Sequence, residues 1–171
     1  MYDIAAKVAN ETDCIKTIDR TDQAIYDGKV FNIGWSTTVA ATSTFYITVT
    51  TPNTTVAPYL KMGLGSSATV TIGFYTGPTA ASTMAAKTAY NMNRASTAVA
   101  TVVVRNEASS DITSTGTLLE SYWVPAASQP IYIGGCYGYR GWKLAANTKY
   151  AIKINAASTT TYNINLSIYE A

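Results

Sequence analysis

The sequence has no histidine, and only 13% of its 171 residues are charged. Without imidazole it lacks the commonest general base, which removes Ser-His-Asp and Cys-His nucleophiles and most zinc chemistries. Carboxylates are few as well. Six of the ten fall within residues 1–27, and Glu107, Asp111, Glu120 and Glu170 are scattered through the rest. Glu107 and Asp111 are close enough in sequence to form a loop pair, but a solvated turn is the expectation. Gly63-Leu64-Gly65-Ser66-Ser67 starts like a phosphate loop yet has neither a third glycine nor a Gly-Lys-Thr ending, so a β-turn is expected there. These absences point to a non-enzymatic protein with no catalytic residues, no cofactor and no metal.

Long apolar runs are missing too. None approaches the ~20 residues of a membrane helix. The opening MYDIAAKVANETD sets acids among its apolar residues, so neither a signal segment nor a membrane anchor is expected. Cys14 and Cys136 stand far apart with no CxxC spacing and read as free, reduced thiols. The sequons at Asn10 and Asn53 then carry no glycan. A net charge of +2 is too small for a nucleic-acid footprint, and no direct nucleic-acid contact is expected. The charge is uneven, however. Residues 1–27 hold six acids and three bases, whereas residues 28–171 hold nine bases and four acids.

A hydrophobic content of 47% in a chain of this length is enough for one domain with a core of its own. Apolar and polar residues alternate with period two, the mark of half-buried strands. In the C-terminal run Tyr162, Ile164, Leu166 and Ile168 share the inward face, with Asn163, Asn165, Ser167 and Tyr169 outward. Similar runs are Val30–Ile33, Phe45–Thr50, Tyr59–Leu64, Ala68–Tyr75, Ala98–Arg105, Thr117–Trp123, Ile131–Ile133 and Lys149–Ile154. In Ala68–Tyr75 the inward set is Ala68, Val70, Ile72 and Phe74. Turn-rich stretches separate the runs, and Ala80–Asn91 reads as a long connection with at most one helical turn. The spacing predicts an all-β fold, an antiparallel β-sandwich. Residues 1–27 read as an N-terminal arm, extended or with a short strand near Cys14–Ile18, in preference to an amphipathic helix with Val8, Glu11, Ile15, Ile18, Asp22 and Ile25 on one face, whose seam would hold two acids; residues 28–171 read as the sandwich body. Ile15 and Ile18 are the arm's candidate anchors on a neighbouring chain.

The order of short motifs adds a resemblance. Gly28-Lys29-Val30-Phe31 opens the body, and Phe74-Tyr75-Thr76-Gly77-Pro78-Thr79 and Tyr90-Asn91-Met92-Asn93-Arg94 follow. Then come Gly116-Thr117-Leu118-Leu119, a Gly134-Gly135 loop, Trp142–Tyr150 and a closing Leu166-Ser167-Ile168-Tyr169-Glu170. Over residues 25–171 this resembles a family of tailed-bacteriophage head proteins, the capsid decoration or cement proteins. The resemblance implies a jelly-roll-like sandwich made in the bacterial cytoplasm and bound to the capsid exterior of the virion. Its partner would be the major capsid protein, and it would self-associate as a trimer or dimer.

The stretch Ile131–Trp142 carries most of the remaining signal. Tyr137, Tyr139, Arg140 and Trp142 are interleaved with glycines, and these residue types are enriched at interface hot spots. Core-edge packing, a protein interface and a sugar platform all fit that composition. Two other functions share it: a carbohydrate-binding or fibre receptor-binding module, and a minor tail or baseplate component.

Overall fold

Strict alternation governs the last strand. Tyr162, Ile164, Leu166 and Ile168 are all buried, while Asn163 and Asn165 between them are exposed. Each such buried aliphatic side chain stabilises the fold by roughly 1.5–3 kcal/mol. The same logic runs through the rest of the chain.

The computed structural model describes residues 20–54, 57–133 and 141–170. A short helix, α1 (Arg20–Tyr26), leads into β1 (Val30–Val39), β2 (Thr44–Thr50), β3 (Tyr59–Ser66) and β4 (Val70–Thr76). The connection that follows contains β5 (Thr79–Ala80) and β6 (Tyr90–Asn91) before β7 (Val103–Glu107). After one 3-10 turn at Ser109–Asp111 come β8 (Ile112–Ser114), β9 (Thr117–Val124), β10 (Ala127–Ile133) and β11 (Trp142–Lys143). β12 (Lys149–Ala156) and β13 (Thr160–Tyr169) complete the described chain.

Every pairing is antiparallel, and the pairing is nested. The first long strand pairs with the last, β1 with β13, and β2 pairs with β12. Further in, β3 pairs with β10 and β4 with β9. Folding that long nested hairpin over itself gives two sheets. One has the order β10-β3-β13-β1-β6, with β11 also on β3, and the other has the order β7-β2-β12-β4-β9. The eight strands of the nest are wound as a jelly roll, so the fold is an all-β sandwich of that kind. Phe31, Ile33, Ile47, Leu60, Met62, Leu64, Ile72, Phe74, Ile152 and Ile154 interdigitate with the β13 set in one core. On the polar side of β1 and β13, Ser36 donates to Asn163 Oδ1 (2.6 Å), and the hydroxyls of Thr38 and Thr161 are bonded at 2.9 Å. That polar ladder carries β1 well past the Ile33 end that its apolar run predicts.

Four local expectations change. Residues 20–26, assigned to an extended arm, form α1, which ends in a paired set of closing bonds. Gly28 N–H reaches Ile25 O and Lys29 N–H reaches Ala24 O, both at 2.9 Å. That closure needs a left-handed residue, and Gly28 has φ +68°. A side chain at 28 would also meet Ser96 Oγ at 2.3 Å. Second, Gly63 and Gly65 lie inside β3 rather than in a turn. Third, residues 98–102 are not strand; β7 begins at Val103 because Glu170 takes up the amides of Thr101 and Val102. Fourth, Ala68 is only half-buried, although Val70, Ile72 and Phe74 point into the core as their alternation predicts. The connection over 80–91 holds no helix.

Candidate functional site

Ile133 pairs with Met62 and Trp142 with Leu60, so the chain leaves β3 and returns to it two residues away. The seven residues between Ile133 and Gly141, with Tyr137, Tyr139 and Arg140 among them, lie outside the described residues, as do Ile15 and Ile18. What the structure describes is the stem beneath them. Gly141 lies so close to β3 that a Cβ there would fall 2.2 Å from Leu60 O, so only glycine fits without moving the strand.

Trp142 goes inward. It is 7% exposed and stacks on Phe74 with ring centroids 4.2 Å apart; Phe74 stacks in turn on Tyr150 at 5.4 Å. Its Nε1–H donates to Glu120 Oε2 at 2.8 Å, and the Tyr122 hydroxyl donates to the same oxygen. Tyr122 also tilts against the Trp142 ring at 6.3 Å. Of the three readings of the aromatic stretch, Trp142 takes the packing one, and it has little surface left to give a partner. Its role is to lock the returning end of the loop to both sheets. Aromatic pairs of this kind contribute ~0.5–1.5 kcal/mol beyond their buried area.

The strand that supplies Glu120 and Tyr122 is the edge of its sheet. Val124, Tyr122 and Glu120 turn toward the core side, while Trp123 and Ser121 face out. A bulge between Glu120 and Leu118 breaks the alternation and leaves Leu118 and Leu119 both about half exposed. Trp123 is 69% exposed. β9 and the loop stem border the same side of the sandwich. That side exposes Leu118, Leu119 and Trp123 alongside Thr117, Ser121 and Lys143, and Glu120 faces inward. The alternation over Thr117–Trp123 predicts this strand but not its surface. The signal was present in Leu118-Leu119 and Tyr122-Trp123, two adjacent apolar pairs that no single buried face can absorb.

The other three carboxylates of the sandwich body have structural partners. Glu170 accepts from the N–H of Thr101 (2.9 and 3.1 Å), the N–H of Val102 (2.8 Å) and the Thr101 hydroxyl (2.9 Å). With Pro52, Thr54, Pro58 and Thr101 it lines a cleft of about 190 Å³, and those bonds already engage both of its carboxylate oxygens. Glu107 is 1% exposed and accepts from the Thr48 hydroxyl at 3.1 Å, so it does not lie in the solvated turn expected from sequence. Asp111 takes a different partner, Thr83 Oγ1, at 2.7 Å, so the two acids are held separately. Among the described residues no three of His, Cys, Asp and Glu are grouped as metal ligands, and no helix is long and apolar enough to cross a membrane. Compared with protein-family models, with curated proteins and with solved structures, the chain matches none.

Proposed function

We propose that the protein is a non-enzymatic structural protein of a virion, one that decorates an assembled capsid by binding its major capsid subunits from outside. The observation that carries this reading is the stem. A jelly roll with a continuous core holds on one strand both ends of a segment with two tyrosines and one arginine, fixed by Gly141 and by the half-buried Trp142–Glu120 bond. A binding loop on a rigid scaffold loses less entropy when it docks. The motif order noted in the sequence supplies the class of partner. Binding the assembled lattice but not free subunits stabilises the lattice by mass action.

Sedimentation with undecorated heads tests this. The protein should pellet with heads, and Tyr139→Ala and Arg140→Ala should weaken pelleting ~10-fold or more while leaving the fold intact. Full pelleting by both variants would remove the loop as the contact, and no pelleting by the parent would remove the function. A second reading, a carbohydrate-binding module, is favoured by one feature. Trp123 stands exposed beside Thr71 and Ser121, an aromatic platform with hydroxyls next to it. Glycan-array binding that is lost with Trp123→Ala would select that reading.

A further inference from the structure

A sheet edge is a row of half-used backbone donors and acceptors, and proteins guard such edges with short strands, proline, charge or a covering segment. Most of the open edges here are guarded in one of these ways. β6 is two residues long. β7 is covered on its outer side, where Ala86 bridges Arg105 and Lys87 N–H donates to Val104 O at 2.8 Å. β10 contains Pro130 and a register shift. The part of β1 beyond Asn32 presents Gly34, Ser36, Thr37 and Thr38, and its Trp35 lies under the Lys87 ammonium at 5.5 Å. β9 is different. It has eight residues, no proline and one charge, its bulge at Leu119 leaves Glu120 to Val124 in regular register with β4, and among the described residues no strand lies beyond it.

The single charge settles which kind of occupant the edge fits. Glu120 turns inward to Tyr122 and Trp142, so two copies of this edge can meet without opposing like charges. The outward residues are also self-complementary. In an antiparallel pair centred on Ser121, Leu119 of each copy faces Trp123 of the other, and the small Ser121 faces itself at the axis. Centring the pair on Tyr122 would instead set Trp123 against Ser121 and leave Leu119 opposite Pro125.

We propose that β9 pairs antiparallel with β9 of a second copy across a two-fold axis at Ser121, joining two five-stranded sheets into one. An isologous contact of this kind closes as a dimer and does not propagate. One exposed strand, with Trp123 supplying on the order of 150 Å² per copy, falls at the low end of specific interface sizes. Association is therefore concentration-dependent. On a capsid, two linked binding loops would add avidity. The dimer does not depend on that role: a dimer that ignores heads would end the capsid reading and leave this one standing.

Sedimentation equilibrium of the full chain tests the proposal. The parent should show a monomer–dimer equilibrium. Leu119→Lys and Trp123→Lys should each weaken it more than ~10-fold with unchanged far-ultraviolet circular dichroism. Val99→Lys, at a site 80% exposed away from β9, should leave it unchanged. As a check that does not disturb the apolar residues, Ser121→Cys should yield, on mild oxidation, a dimer whose peptide map joins the two introduced thiols. A parent that stays monomeric at every concentration, lysine variants that dimerise like the parent, or no link between the introduced thiols would each overturn the proposal. The monomeric result would leave the edge to the chain's own residues or to a strand of another protein.

Discussion

Replacing Trp142 separates its two jobs in the stem. Trp142→Ala removes a buried ring stacked 4.2 Å from Phe74 and should destabilise the protein by ~3–5 kcal/mol. Trp142→Phe keeps an aromatic ring against Phe74 and loses the Nε1–H bond to Glu120 together with part of the buried ring area, a loss that the double variant below cancels. Hydrogen bonds to charged groups contribute ~1.5–3 kcal/mol, and Glu120 is half-buried and keeps Tyr122 as a donor. A loss of ~1–2 kcal/mol is expected, read as a fall in melting temperature of ~2–4 °C per kcal/mol for a chain of this size. Glu120→Ala strands the buried indole N–H and should be as damaging or more so, by ~1–3 kcal/mol. The double variant decides the matter. If the bond is real, Trp142→Phe with Glu120→Ala should destabilise by ~1–2 kcal/mol less than the sum of the two single changes, measured by denaturant unfolding. Strict additivity would mean that the indole and the carboxylate do not interact and that the stem is not locked in this way.

Two further outcomes follow from the core. Leu166→Ala should destabilise by ~2–5 kcal/mol and Asn165→Ala by far less; equal effects in denaturant unfolding would contradict the register of β13. Burial pushes the Tyr162 hydroxyl up to about 12 from 10.0, so the folded state holds this proton more tightly than the unfolded chain does. The stability linked to it is complete below pH ~10 and is lost between ~10 and ~12, by roughly 3 kcal/mol. Tyr162→Phe should flatten that part of the pH–stability curve, and an unchanged alkaline limb would show that another group controls it.

Most strands were legible because one face of each is buried and the other wet, as in Tyr162 to Ile168. Each of the nine apolar runs contributes residues to an observed strand, with ends that shift where polar contacts rather than apolar ones set the length. The nesting was not legible. Pairing Val30 with Tyr169 closes a loop of nearly the whole chain, and nothing local in either segment encodes it. α1 is hard to read because its apolar residues, Ala24, Ile25 and Tyr26, are adjacent and make no apolar stripe; its one clear mark is the glycine just past its end, Gly28. The fate of Trp142 was open for a related reason. A glycine-spaced aromatic run has the same composition in a core edge as on a surface, and the residue that draws this ring inward lies 22 positions earlier, at Glu120.

The central claim is that this jelly roll sits on the outside of an assembled head. Electron cryo-microscopy of particles carrying the protein tests it most directly. The account predicts sandwich-shaped density at symmetry-related positions on the capsid exterior, with the β3 end that bears the Tyr137–Arg140 loop turned toward the major capsid subunits. Density confined to the tail, the baseplate or a fibre tip, or none on the particle at all, would contradict it.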